Sequence, residues 1–412
     1  MPASPDSAAA SQSSDSRSAA EPARTDWIAV AAVIAAGVIV SMQLGKLPPL
    51  IDALRAEFGL GLVLAGIVAS SFNLVGAVIG VAAGFASDRI GGRHALGLGL
   101  LVAALGGLLG AAADSTLVLL TARLIEGLGF VLVVVAAPGL VTAAAQPRQR
   151  NLALGFWSAY MPLGVAFGMF GALLVGHLFD WRGLWLLLAG LLAVGAFAAH
   201  RLARGVDLPP ARRFDAAVLK HPGPWLLAGC FACYTTQWFA IVTWIPTYLR
   251  DSGVTSETLI ATGTALVVLI NVIGNLSCAA LMHRGLPRWL IMAVTSLAMS
   301  IFGVMSFAGS VPVLGKIGLA MVTTGIGGML PAAVLASVPE HVRERSQIAT
   351  VNGVVVQLLN IGSFVGPPGL AALVARFGGW SEGRWLLLGA GAIGCGLALA
   401  LRFLASPKSP QP

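Results

Sequence analysis

Charge is what this chain has least of. Only 10% of its 412 residues are Asp, Glu, Lys or Arg, against roughly a quarter in ordinary soluble chains. Such a sequence cannot wet the surface of a soluble fold, and at 57% hydrophobic residues it has no need to. Cysteine is equally scarce, and four residues in unsuitable places exclude a secreted disulfide scaffold. Cys230 and Cys233 form a CxxC, but it stands in an apolar stretch with no second pair and no histidine cluster. Small residues packing between helices explain it better than a metal or redox centre. There is no GxxxxGK[ST] loop, so ATP is not the expected energy source. No nucleophile–base set or metal cluster is visible, so neither enzymatic activity nor a cofactor is expected. The formal charge of +8 would suggest nucleic acid in a soluble chain. With a mean hydropathy of +0.87, it reads instead as positive loops beside a lipid bilayer, and no nucleic-acid partner is expected.

What is present is a series of long apolar runs. Residues 1–26 are rich in Ser, Ala and Pro and read as a disordered cytoplasmic tail. They lack the basic start and prompt apolar run of a signal peptide. From Trp27 onward, twelve stretches are long enough to cross the hydrocarbon: 27–50, 61–86, 95–113, 116–144, 152–178, 184–203, 224–249, 258–282, 289–309, 312–338, 348–376 and 384–404. Glycine, at 51 residues, suits close helix approach in lipid. Trp27, Trp181, Trp185, Trp225, Trp289, Trp380 and Trp385 lie near span ends, as an aromatic belt requires.

Alternate connections differ in charge. Seventeen of the 25 Lys and Arg fall on one side, including Arg89, Arg93, Arg148, Arg150, Arg201, Arg204, Arg284 and Arg288. Seven fall on the other: Lys46, Arg55, Arg182, Arg250, Lys316, Arg376 and Arg384. The bias places both termini in the cytoplasm. Residues 204–223 read as a cytoplasmic linker between two halves, 27–203 and 224–404, with a tail at 405–412. The halves echo each other at an offset of 198. Pro48 matches Pro246, Asn73 and Gly76 match Asn271 and Gly274, Gly127 and Gly129 match Gly325 and Gly327, and Gly155, Gly164 and Gly168 match Gly353, Gly362 and Gly366. Parallel repeats of this kind mark transporters built about an axis along the membrane normal.

Between the second and third spans stands Gly84-Phe-Ala-Ser-Asp88-Arg89-Ile-Gly91-Gly92-Arg93. An acid and two arginines at a glycine turn can form a reversible latch between helix ends. The fourth span carries Arg123-Leu-Ile-Glu126-Gly127-Leu-Gly129. Both segments resemble motifs of the major facilitator superfamily, with a doubled glycine as a minor departure in the first. The loop equivalent to the first in the second half keeps Arg284, Gly285 and Arg288 but no Asp. The resemblance implies an all-α membrane fold of twelve transmembrane helices in two pseudo-symmetric six-helix halves. It also implies a cytoplasmic gate at Asp88, Arg89 and Arg93. Spans one to five are similar to the cyanate-permease branch and related small-anion and organic-acid carriers. The Gly-Pro pattern of drug antiporters is missing from the fifth span, which reads Gly155-Phe-Trp157-Ser-Ala-Tyr160-Met-Pro162-Leu-Gly164.

Charges inside a membrane cost about 2.5–3.5 kcal/mol each on insertion scales and need a reason. Arg123 lies about 13 Å along its helix from Asp114, near mid-membrane, and Glu126 follows one turn on. The two satisfy each other, or Arg123 meets solute while Glu126 carries a coupling proton. Lys46 either snorkels outward or faces solute, and Gln43 lies one turn before it. The superfamily's cavity is lined by spans one, four, seven and ten, which would bring Tyr234, Gln237 and Trp238 of span seven to the same place. Counted together the cavity is net positive, so a small organic or inorganic anion is the expected solute. The expectation is a proton-coupled secondary carrier in a bacterial inner membrane. A drug or metabolite exporter on the same fold is the alternative.

Overall fold

The computed structural model describes residues 24–176, 180–206, 216–342, 344 and 347–404. The expectations for the first 23 residues, for 207–215 of the linker and for the tail at 405–412 lie outside them, as does the side chain of Asp88. The first half comprises α1 (Trp27–Gly45) and α2 (Leu47–Phe58), which form one span, α3 (Leu62–Ile90), α4 (Gly92–Ala111), α5 (Thr116–Ala144), the pair α6 (Arg150–Ser158) and α7 (Tyr160–Gly176), and α8 (Trp181–Leu202). The second comprises α9 (Pro222–Asp251), α10 (Glu257–His283), α11 (Arg288–Ser306), the pair α12 (Val313–Gly327) and α13 (Met329–Ser337), α14 (Ile348–Phe377) and α15 (Arg384–Phe403). Among the described residues twelve segments are long and apolar enough to cross a membrane.

Local signals set the helix ends. The Asp26 carboxylate accepts from the Ile28 and Ala29 amides to cap α1, and Asp180 accepts from the Gly183 amide to start α8 earlier than hydropathy suggests. The first span is longer than its apolar run. Pro48 and Pro49 read as a stop, yet both fall in the first turn of α2, where a missing amide proton costs little. The chain therefore stays helical to Phe58 and turns at Gly59, whose φ of 65° is left-handed. That extension takes Lys46 away from the end of the span.

Small residues set the packing within each half. A Cβ at Gly164 would strike the Val38 carbonyl, and one at Gly362 would strike the Ala232 carbonyl, so α7 lies on α1 as α14 lies on α9. The halves meet where α3 packs on α14, α7 on α10 and α2 on α9. In the α3–α14 contact Gly66 faces Pro368, Gly76 faces Asn360, and Gln357 Nε2 donates to the Ala77 carbonyl at 2.9 Å.

Candidate functional site

Helical spacing assembles the candidate site. Gln43 and Lys46 are one turn apart where α1 meets α2, and Arg123 and Glu126 are one turn apart on α5. Packing of α1 on α5 joins the pairs across 80 positions of sequence. Lys46 Nζ lies 2.6 Å from Glu126 Oε1 and donates to Gln43 Oε1 at 2.5 Å. Arg123 Nη1 pairs with the other Glu126 oxygen and donates to the Gln43 carbonyl at 2.9 Å. All four side chains have 0% exposure.

Neighbouring helices close the cluster. Lys46 Nζ sits 3.9 Å from the ring centre of Trp185 on α8, and Arg123 Cζ lies 4.9 Å from that of Phe72 on α3. Glycines on α4 leave the room. A Cβ at Gly106 would come within 2.8 Å of Glu126 Cγ, and one at Gly110 within 2.5 Å of Trp185 Nε1. Two cations against one carboxylate leave the cluster with an excess positive charge. Gln43 Nε2, Arg123 Nε, Arg123 Nη2 and Trp185 Nε1 are buried without a hydrogen-bond partner in the protein. All four are donors. An unpaired buried donor costs about 1–3 kcal/mol, and an oxyanion supplies the acceptors such a set lacks.

The residues named on α9 do not join this cluster. Tyr234 Oη accepts from Asn271 Nδ2 at 3.0 Å, and Gln237 Oε1 accepts from Ser300 Oγ at 3.0 Å, so both face the interior of the second half. Trp238 faces the first half, lining a narrow space with Leu44, Leu47, Ala69 and Val165. Lys316 is buried and donates to Ser252 Oγ at 2.9 Å near the end of its span. Arg89 is exposed at the end of α3, and Gly91, at φ 85°, turns the chain into α4, where Arg93 is half-buried.

A second constellation escaped the sequence reading. At the end of the bundle away from the start of α1, Arg250 Nη1 meets Asp52 Oδ2 at 2.9 Å, and Arg250 Nη2 donates to the Pro49 carbonyl at 3.0 Å. Arg250 also pairs with Glu257 at 2.7 Å, while Asp52 accepts from Thr247 and pairs with Arg55. Among the described residues, Arg250–Asp52 is the ion pair that joins the halves. The two residues stand 198 apart, the offset of the repeat. Equivalent positions of a two-fold arrangement touch only beside its axis. That shared offset was the signal available in the sequence; hydropathy placed Arg250 among the charges of a connection and passed over Asp52.

Among the described residues, twelve membrane-crossing segments in two similar halves, meeting about an axis with buried charge in mid-bundle, define a membrane carrier of the secondary-transport class. The sequence bears this out: residues 33–367 match the model of the Major Facilitator Superfamily, and the chain belongs to that family. It is 24% identical over 401 residues to the hexuronate transporter of Bacillus subtilis (strain 168), covering 90% of this chain and 92% of that one. It is 25% identical over 252 residues to the sodium-dependent phosphate transport protein 1, chloroplastic, of Arabidopsis thaliana, covering 55% of this chain and 48% of the other. The chain thus spans about half the length of that chloroplast relative. Among solved structures, a bacterial homolog of the human lysosomal transporter Spinster in an inward-facing, occupied conformation superposes with a TM-score of 0.76. Identity to it is 15%, covering 93% of this chain and 98% of that one, and the likeness is one of fold.

Proposed function

We propose that this major facilitator carries a small anion across a bacterial inner membrane by alternating access, in symport with protons, with both termini in the cytoplasm. The observation that supports it is the buried Lys46–Glu126–Arg123 cluster, with its excess positive charge and its four unpartnered donors. Lys46, Arg123 and Gln43 bind the anion, and Glu126 carries the proton. When ionised, Glu126 occupies both cations. A proton on it removes their counter-charge, so proton and anion enter together. Trp238 approaches from the second half, while Tyr234 and Gln237 stay engaged with Asn271 and Ser300. Asp52 and Arg250 hold the outer end shut, and Asp88, Arg89 and Arg93 form the cytoplasmic gate. The hexuronate transporter, which aligns along nearly its whole length, makes a sugar carboxylate the first solute to try, with phosphate second.

The test is thermal stabilisation of the purified protein by carboxylates, inorganic anions and cationic drugs, followed by uptake into liposomes under an imposed proton gradient. Stabilisation by an anion, lost in Arg123→Ala and Lys46→Ala, is the expected result. Glu126→Gln should keep anion exchange but lose accumulation driven by the gradient. Stabilisation by cationic or neutral drugs alone would overturn the proposal.

A further inference from the structure

We propose that the outer face of α4 and α8 is a binding site for an anionic phospholipid. The two helices run antiparallel in close contact, with Gly107 against Ala189 and Gly110 against Trp185 at one end. At the other end the His94 and His200 rings stand 6.1 Å apart. Each helix turns an apolar face outward. On α4 the exposed positions include His94, Leu98, Leu101, Leu105 and Leu108, spaced by three and four residues. On α8 the exposed face is broader, taking in Leu186, Leu187, Leu191, Val194 and Phe197, and it continues through Arg201, Leu202 and Arg204. Both faces therefore carry basic residues at the same end of the bundle, the end where α1 begins and α15 finishes.

Several basic side chains gather at this end. The electrostatic neighbours of His200 are Arg93, Arg204, His94 and Arg201. The Arg201 guanidinium lies over the exposed Phe197 ring, its Cζ 4.8 Å from the ring centre, which holds the cation beside the apolar face. Like charges gathered at an interface repel each other unless a counter-charge is shared between them, and a lipid phosphodiester supplies one. The apolar parts fit the rest of such a molecule. His94 to Leu105 covers about 16 Å at 1.5 Å per residue, close to the roughly 15 Å of one leaflet in a 30 Å core.

The experiment compares phosphatidylglycerol with phosphatidylcholine on the purified full chain, reading lipids retained in native mass spectra and the thermal shift on adding each lipid to delipidated protein. Arg201→Gln/Arg204→Gln is set against Arg284→Gln/Arg402→Gln, which removes as much charge from the same end of the second half. Wild type and the second variant should retain phosphatidylglycerol at least tenfold over phosphatidylcholine, and the first should fall to within twofold. Arg204→Gln alone, beyond the last turn of α8, should shift the ratio in the same direction and serves if the double variant does not purify. An undiminished preference in the Arg201 and Arg204 variants would overturn the site. An equal loss in the second-half control would show a general surface-charge effect and overturn it as well.

Discussion

Removing Glu126 and removing Lys46 should have unequal consequences for stability, although they are the two ends of one ion pair. Glu126→Gln leaves Lys46 and Arg123 both charged at 0% exposure with no counter-charge between them. Breaking a buried pair in that way costs about 3–5 kcal/mol. Lys46→Met leaves Glu126 paired with Arg123, so the cluster becomes neutral. It loses the hydrogen bond to Gln43 and the contact with Trp185, worth together about 1–3 kcal/mol, and gains back the cost of keeping an ammonium dry. Its net change should lie within about 1.5 kcal/mol of zero. Equilibrium unfolding in mixed micelles, with parallel samples at saturating anion, measures both. Anion at 100 times its Kd should restore about 2.7 kcal/mol to Glu126→Gln, because the solute then supplies the missing negative charge. If Glu126→Gln were as stable as wild type, Glu126 would already be neutral and the ion-pair reading would be wrong. If Lys46→Met were the worse of the two, the charge accounting would be wrong.

Three further outcomes follow from particular contacts. At the outer end, a double-mutant cycle on Asp52→Asn and Arg250→Gln should give a coupling of about 0.5–1 kcal/mol, the scale of a partly exposed pair. In a background without native cysteines, either single change should speed maleimide labelling of Leu50→Cys from outside, and unchanged labelling would remove the pair as a closure. Trp185→Leu should cost about 0.5–2 kcal/mol through the contact with the Lys46 ammonium, and anion affinity should fall with it in a binding titration. Gly127→Ala should sharply lower the yield of folded protein by size exclusion, because its Cβ would strike the Phe72 carbonyl and force α5 off α3.

The number and order of the spans were legible because a bilayer demands about 20 apolar residues per crossing, and this chain punctuates them with arginine and glycine. The glycine matches at offset 198 were legible for a related reason. Residues such as Gly164 and Gly362 sit where another helix's backbone passes too close for a side chain. The end of the first span was not, because Pro48 and Pro49 are stops inside a helix and harmless in the first turn of one. Lys46 was therefore open between snorkelling and burial until α2 was seen to continue the path of α1. Its pairing with Glu126 spans 80 positions and depends on how α1 packs against α5, which no local pattern encodes. Tyr234, Gln237 and Trp238 share a helical face at spacings of three and four. Sequence could not tell that the first two would be engaged by Asn271 and Ser300 while Trp238 meets the other half.

The repeat also supplies an internal control on what the charges are for. At the offset of 198, Gln43, Lys46, Arg123 and Glu126 correspond to Ile241, Trp244, Met321 and Thr324. The second half builds the same helix arrangement with no ion at any of these places. Trp244 is fully buried and donates to the Pro367 carbonyl at 2.8 Å, and Thr324 donates to backbone carbonyls. The fold therefore does not require a buried ion triad here, and such triads are often no more stable than apolar residues of similar size. The triple change Lys46→Met, Arg123→Met and Glu126→Thr removes all three charges together and leaves none unpaired. It should unfold at least about 2 kcal/mol later than Glu126→Gln, while anion binding and uptake fall to background. A triple variant that fails to fold where Lys46→Met succeeds would make the cluster a structural element of the first half. A triple variant that folds and still carries the anion would move the binding site elsewhere in the bundle.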